Sequence, residues 1–173
     1  TFTPKVQPSH PKPTKSKDGF IFSLIIGEQI RTLSLTKRQT EQYAKNVEKV
    51  YADASCIYIY DGLGAYETAL HLLAALMLQK EITFFHSQHN LEESLLDTAP
   101  ENPLIILDGN EIGYWLKSGM VEVLEACTVI VCSLPACSQL DKLIDVHLAS
   151  GKIHFLSYHN EPGKAPELVS HKE

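Results

Sequence analysis

Residues 55–80, SCIYIYDGLGAYETALHLLAALMLQK, hold the feature that most limits the fold: a short apolar run, a turn with glycines at 62 and 64, then a stretch that is apolar almost all round at helical length. A strand that feeds a buried helix through a glycine turn is half of a βαβ unit, and the second half needs a parallel strand beside the first. The rest of the chain repeats this rhythm. Short apolar runs at 20–26, 55–60, 82–86, 103–107, 128–132 and 153–158 predict six strands.

Helical patterns fill the intervals. Thr36, Thr40, Tyr43, Val47 and Val50 recur on one face over 36–51, and the helix predicted at 66–79 is apolar enough to be central and buried. Asn90 with Glu93 is spaced to cap the helix after the third strand. Ile112, Leu116, Val123 and Leu124 mark the helix after the fourth. Ser138 opens the one after the fifth, with Leu140, Leu143, Ile144 and His147 inward and Gly151 closing it. The fold class expected is α/β, a Rossmann-like doubly wound, mostly parallel six-stranded sheet with helices on both faces. Ligands of such sheets sit outside the carboxyl ends of the strands.

A chain of 173 residues that is 44% hydrophobic can bury one ordinary core. Residues 1–19, with prolines at 4, 8, 11 and 13, read as a flexible arm, residues 20–160 as the domain and 161–173 as a tail. The formal charge is -6, but the arm carries four lysines against Asp18, a net of +3 that leaves -9 on the remainder. A body this acidic repels phosphodiester chains on average, so any nucleic-acid site must be local or lie on the arm. Thr1 in place of a methionine, with no secretory pattern after it, reads as a trimmed start, and the apolar run of 69–77 is too short to span a bilayer. None of the four cysteines makes a C-x-x-C pair, so buried thiols and a cytoplasmic location are expected.

Six loops are predicted to gather at the carboxyl ends: 27–29, 61–67, 86–89, 108–111, 133–138 and 158–159. Gly62 and Gly64 allow backbone amides close to a ligand at the positive end of a helix, or serve a tight turn alone. The third glycine of a dinucleotide loop and the lysine of a Walker loop are both missing. Glu67 and Asp61 could form a carboxylate pair for acid–base or nucleophilic work, or merely offset a helix dipole and cap the turn. His86 and His89, directly after a strand, lack a third ligand set by spacing, so neither a metal nor a cofactor is expected. No Gly-x-Ser-x-Gly elbow supports covalent catalysis.

In this order of features the chain resembles the DNA-processing protein A family, whose domain belongs to the wider SMF/LOG group of nucleotide-binding folds. The resemblance runs over residues 20 to about 160. FSLIIGEQ matches the family strand ending in Gly-Ser-Arg, YIYDGLGAYETALHLLAAL its strand–turn–helix, and LEACTVIVCSLPACSQLDKLIDVHLASGKIHFLSYH the end of its domain. It implies binding of a nucleotide or single-stranded DNA, a homodimer, and a protein partner delivered to the strand. It also implies a ligand site at Gly27, Gln29, Arg31, Gly62, Gly64, Tyr66, Asn110 and Ser138. Gln29, Ala65 and residues 118–120 stand where the family carries arginines, and each lost phosphate contact weakens polyanion binding. Two functions follow as expectations. One is a non-catalytic domain with weak nucleotide or single-stranded DNA binding, or a degenerate form serving as an assembly component. The other is a nucleotide-processing N-glycosidase or transferase using Glu67 with Asp61 as helper.

Overall fold

A computed structural model of the chain describes residues 14–16, 19–26, 29–118, 121–132, 152–158 and 164–170. The first elements are β1 (Thr14–Ser16), β2 (Gly19–Ile26) and β3 (Gln29–Thr36), an antiparallel sheet in that order. The apolar run at 20–26 is a strand, as predicted, but it does not join the parallel sheet. It pairs along its length with β3, from Gly19↔Thr36 to Ile26↔Gln29. The reason lies in the residues that follow: in QIRTLSLT, Leu33 and Leu35 alternate with polar neighbours, and antiparallel pairing needs only a tight turn where parallel pairing needs a crossover. β1 falls in the segment read as an arm and pairs with β2 from Thr14↔Ile21 to Ser16↔Gly19.

α1 (Lys37–Asp53) starts where the Thr36 side chain accepts from the Gln39 amide at 3.1 Å, and it buries Thr40, Tyr43, Ala44, Val47 and Tyr51. The chain then alternates through β4 (Ile57–Tyr60), α2 (Ala65–Met77), β5 (Ile82–Phe85), α3 (Gln88–Thr98), β6 (Leu104–Leu107), α4 (Gly109–Lys117), α5 (Val121–Glu125), β7 (Thr128–Val131), β8 (Ile153–Ser157) and β9 (Glu167–Ser170). The main sheet has the order β5-β4-β6-β7-β8-β9, with β4 to β8 parallel and β9 antiparallel to β8. Its sixth strand comes from the segment read as a tail, where Leu168 packs on the core beside buried Ala165. This edge partner replaces the run at 20–26.

Helices cover both faces. Ile57, Ile59, Leu104 and Ile106 point to α1 and α2, while Tyr58, Ile105, Leu107, Val129 and Val131 point to α3, α4 and α5. Hence all four residues of β6 are fully buried, and its sequence Leu-Ile-Ile-Leu shows no alternation. α3 is capped three residues before the predicted cap: the Ser87 side chain accepts from the Asn90 amide, and Asn90 Oδ1 accepts in return from the His86 amide. The single helix expected over 112–124 is two, α4 and α5. The helix predicted from Ser138 lies outside the described residues. Among the described residues no helix is long and apolar enough to cross a membrane.

Candidate functional site

The chain leaves β4 outward to β5 and returns past it to β6, so its winding reverses between β4 and β6. A crevice opens at such a reversal, outside the carboxyl ends of the strands. The first residue beyond each parallel strand stands at this end: Asp61, His86, Asp108, Cys132 and Tyr158. Their side chains or carbonyls make the contacts that define the site.

Asp61 and His86 follow the register pair Tyr60↔Phe85, and His86 Nδ1 lies 2.8 Å from Asp61 Oδ2. The Asp61 side chain is only 8% exposed and that of His86 66%, so a sheltered carboxylate orients an imidazole at the surface. Burial raises the pKa of Asp61, and the bond and charge of His86 oppose the rise. His89 bonds Glu93 instead, at 3.0 Å, and among the described residues no group of three potential metal ligands converges.

On the α2 side, Tyr158 donates toward Glu67 Oε1 at 2.8 Å and toward the Cys132 carbonyl at 2.7 Å. A phenol has one proton, so the two acceptors share it. Burial first, then the charge and hydrogen bond of Glu67, drive the Tyr158 pKa well above its usual value. The other oxygen, Glu67 Oε2, lies over Gly64, where an added Cβ would come within 2.6 Å of it. Gly64 caps α2 without a side chain, and Glu67 is the acidic residue of the first turn. Its neighbour Tyr66 accepts from Gln39 Nε2 at 2.8 Å.

Across the crevice, Asp108 caps α4 by accepting from the Glu111 amide at 2.8 Å, and Glu111 Oε1 accepts from Trp115 Nε1 at 3.1 Å. Tyr60 stands between the two sides, with its ring 5.7 Å from that of Phe85. Burial, followed by the charges of Glu111, Asp108 and Asp61, pushes its phenol up to about 12. Gly62 lies against this ring, where an added Cβ would meet Cε2 at 2.5 Å. Gly62→Ala should therefore destabilise the fold by about 1–3 kcal/mol, the usual cost of overpacking. Urea unfolding measures this, and a parental midpoint would show that Tyr60 yields at no cost.

The structure thus gathers Asp61, Gly62, Gly64, Tyr66 and Glu67, with Asn110 exposed in the first turn of α4 on the opposite rim. Gln29 and Arg31 fall on β3 of the antiparallel sheet, not at the end of a parallel strand. Gly27 and Ser138 lie outside the described residues. Asp61 bonds His86 and Glu67 accepts from Tyr158. His86, Glu111 and Tyr158 fall in loops that the sequence predicts at the carboxyl ends, whereas Tyr60, read only as the last residue of a strand, was not among them.

No family model matches this sequence, and no curated protein is detectably similar to it. Solved structures are similar in fold. An acyl-CoA synthetase (AMP-forming)/AMP-acid ligase II-like protein from Dyadobacter fermentans superposes with a TM-score of 0.61 at 14% identity, over 88% of this chain and 44% of its own. The N-terminal subdomain of NpsA from Klebsiella oxytoca, in complex with anthranilyl-AMSN, gives 0.59 at 12% identity, over 87% and 40%. MatB from Rhodopseudomonas palustris gives 0.52 at 10%, over 82% and 29%. At such identities the likeness is one of fold. The chain spans less than half the length of these proteins.

Proposed function

We propose that this chain is a binding subdomain of AMP-forming-ligase-like architecture, without catalysis of its own, whose crevice takes the base and sugar of a nucleoside or a comparable ring-bearing molecule. The observation that carries this reading is the lining of the crevice: Asp61, Glu67, Asp108 and Glu111 among the phenols of Tyr60, Tyr66 and Tyr158. Carboxylates accept from hydroxyl and amino groups, and phenol rings stack on flat ligands. The same carboxylates oppose a polyphosphate or a DNA backbone, even though the positive ends of α2 and α4 face the crevice. Glu67 and Glu111 sit in those first turns and offset them. A fold-similar subdomain has been solved in complex with anthranilyl-AMSN, which accords with a small-molecule ligand for this fold. Of what the DNA-processing resemblance implies, this reading keeps weak nucleotide binding and sets strand binding aside. The N-glycosidase alternative needs Glu67 poised to attack, whereas its Oε1 accepts from Tyr158.

Trp115 is the single tryptophan, and its bond to Glu111 makes it a reporter of the crevice. Titration with adenosine, AMP and ATP should change its emission with affinity falling along that series, by roughly ten-fold, or 1.4 kcal/mol, from first to last. A labelled single-stranded oligonucleotide should not bind across a salt series. Tighter binding of ATP or of the oligonucleotide, falling steeply with salt, would overturn the proposal.

A further inference from the structure

At the amino ends of the strands, away from the crevice, a groove of about 320 Å³ runs between α3 and α5. Leu95, Leu96, Pro100, Pro103 and Val123 line it, and Leu96 stands 75% exposed. A leucine left in water beside an apolar hollow does nothing for the core of this domain, and apolar surface gathered in one place marks contact with another molecule. Its surroundings specify the charge of that molecule. Glu92 lines the groove from α3 and Glu122 from α5. α3 further carries Glu93 and Asp97, and α5 carries Glu125, while neither helix holds a lysine or an arginine. His89 is the one basic side chain on α3, and it bonds Glu93.

We infer that this groove docks a partner protein through a short segment with an aliphatic anchor flanked by lysines or arginines. The hollow is at the small end of ligand pockets, which span roughly 300–1,000 Å³, so it suits a few side chains of an extended segment or a single helical turn. Carboxylates on both walls select basic flanks, hasten encounter, and exclude acidic segments bearing the same anchor. The site is independent of the crevice: Pro103 precedes β6 and Cys127 precedes β7, at the opposite end of the sheet from Asp61 and Asp108.

The test uses the whole chain and two fluorescein-labelled peptides that share a Leu-Leu anchor, one flanked by lysines and one by glutamates. The lysine peptide should bind at least roughly ten-fold more tightly, and less so as salt rises. Leu96→Glu and Glu122→Lys should each weaken it by a similar factor, and the double charge reversal Glu92→Lys/Glu122→Lys should turn preference toward the glutamate peptide. Leu96 and Glu92 lie on the surface of α3, so circular dichroism should be unchanged, and the response of Trp115 to adenosine should persist in each variant. Equal affinity for both peptides, no binding of either, or binding indifferent to Leu96 and Glu122 overturns the inference. So does a dimer of the parent chain that Leu96→Glu converts to a monomer, since the occupant would then be a second copy.

Discussion

Acidification from pH 7 to pH 4 is expected to remove about 3 kcal/mol of stability through His71 alone. The ring is fully buried on α2, with Nδ1 2.7 Å from the Tyr51 hydroxyl, Nε2 2.9 Å from that of Tyr43, and Cys132 Sγ 3.5 Å from Nε2. A neutral imidazole serves this pocket, donating from one nitrogen and accepting at the other. Full burial disfavours the charged ring and lowers its pKa to about 3. The unfolded chain takes the proton near 6.5 and the folded chain does not. The contribution is therefore complete above pH 6.5 and fades as pH falls from 6.5 toward 3. Asp61 acts in the opposite sense, since its raised pKa means that proton uptake at low pH favours the folded form. The two are separated by His71→Gln, which keeps a donor and an acceptor but cannot take up the proton. Denaturant midpoints at neutral and acid pH should differ less in this variant, by about 3 kcal/mol when converted. Identical pH slopes would refute the assignment.

Trp115→Ala should cost about 3–5 kcal/mol, the usual range for truncating a large buried aromatic. Trp115 is fully buried, its ring 5.6 Å from that of Phe85, which in turn lies 5.7 Å from Tyr60. The three rings run from the core on the α4 face to the crevice, and the indole also holds Glu111. Trp115→Phe fills most of the space but loses the donor, and should cost roughly 1.5–3 kcal/mol, in line with one hydrogen bond to a charged group. Because the reporter is gone in both variants, unfolding is followed by far-ultraviolet circular dichroism, and nucleoside affinity by calorimetry. Affinity should fall in the alanine variant by more than its stability alone explains. A loss below about 1 kcal/mol for Trp115→Ala would mean that this face repacks, and that the aromatic chain does not support the site.

Periodicity reveals what is repeated along the chain. The apolar runs around Ile57, Ile82, Leu104, Val129 and Ile153, separated by helical patterns, predict a parallel sheet covered on both faces, because only such a sheet buries strands of this kind from both sides. The same reading puts Asp61, Gly62, Gly64, Tyr66 and Glu67 beyond the carboxyl end of a strand, where they are found. It misassigns the run at 20–26, since apolarity marks a strand and not the neighbour with which it pairs. It also misses β9, which is four residues long and acquires its role from the exposed edge of β8.

By itself, then, the sequence determined the alternation of strands and helices, the buried character of α2, and the carboxyl-end position of the glycine turn, all of which depend on neighbours along the chain. Tertiary structure alone decided that Asp61 meets His86, 25 residues away, and that Glu67 meets Tyr158, 91 residues away. Such pairs arise from strand order and register, and a hydrogen bond that spans that much chain leaves no period in the sequence to be read.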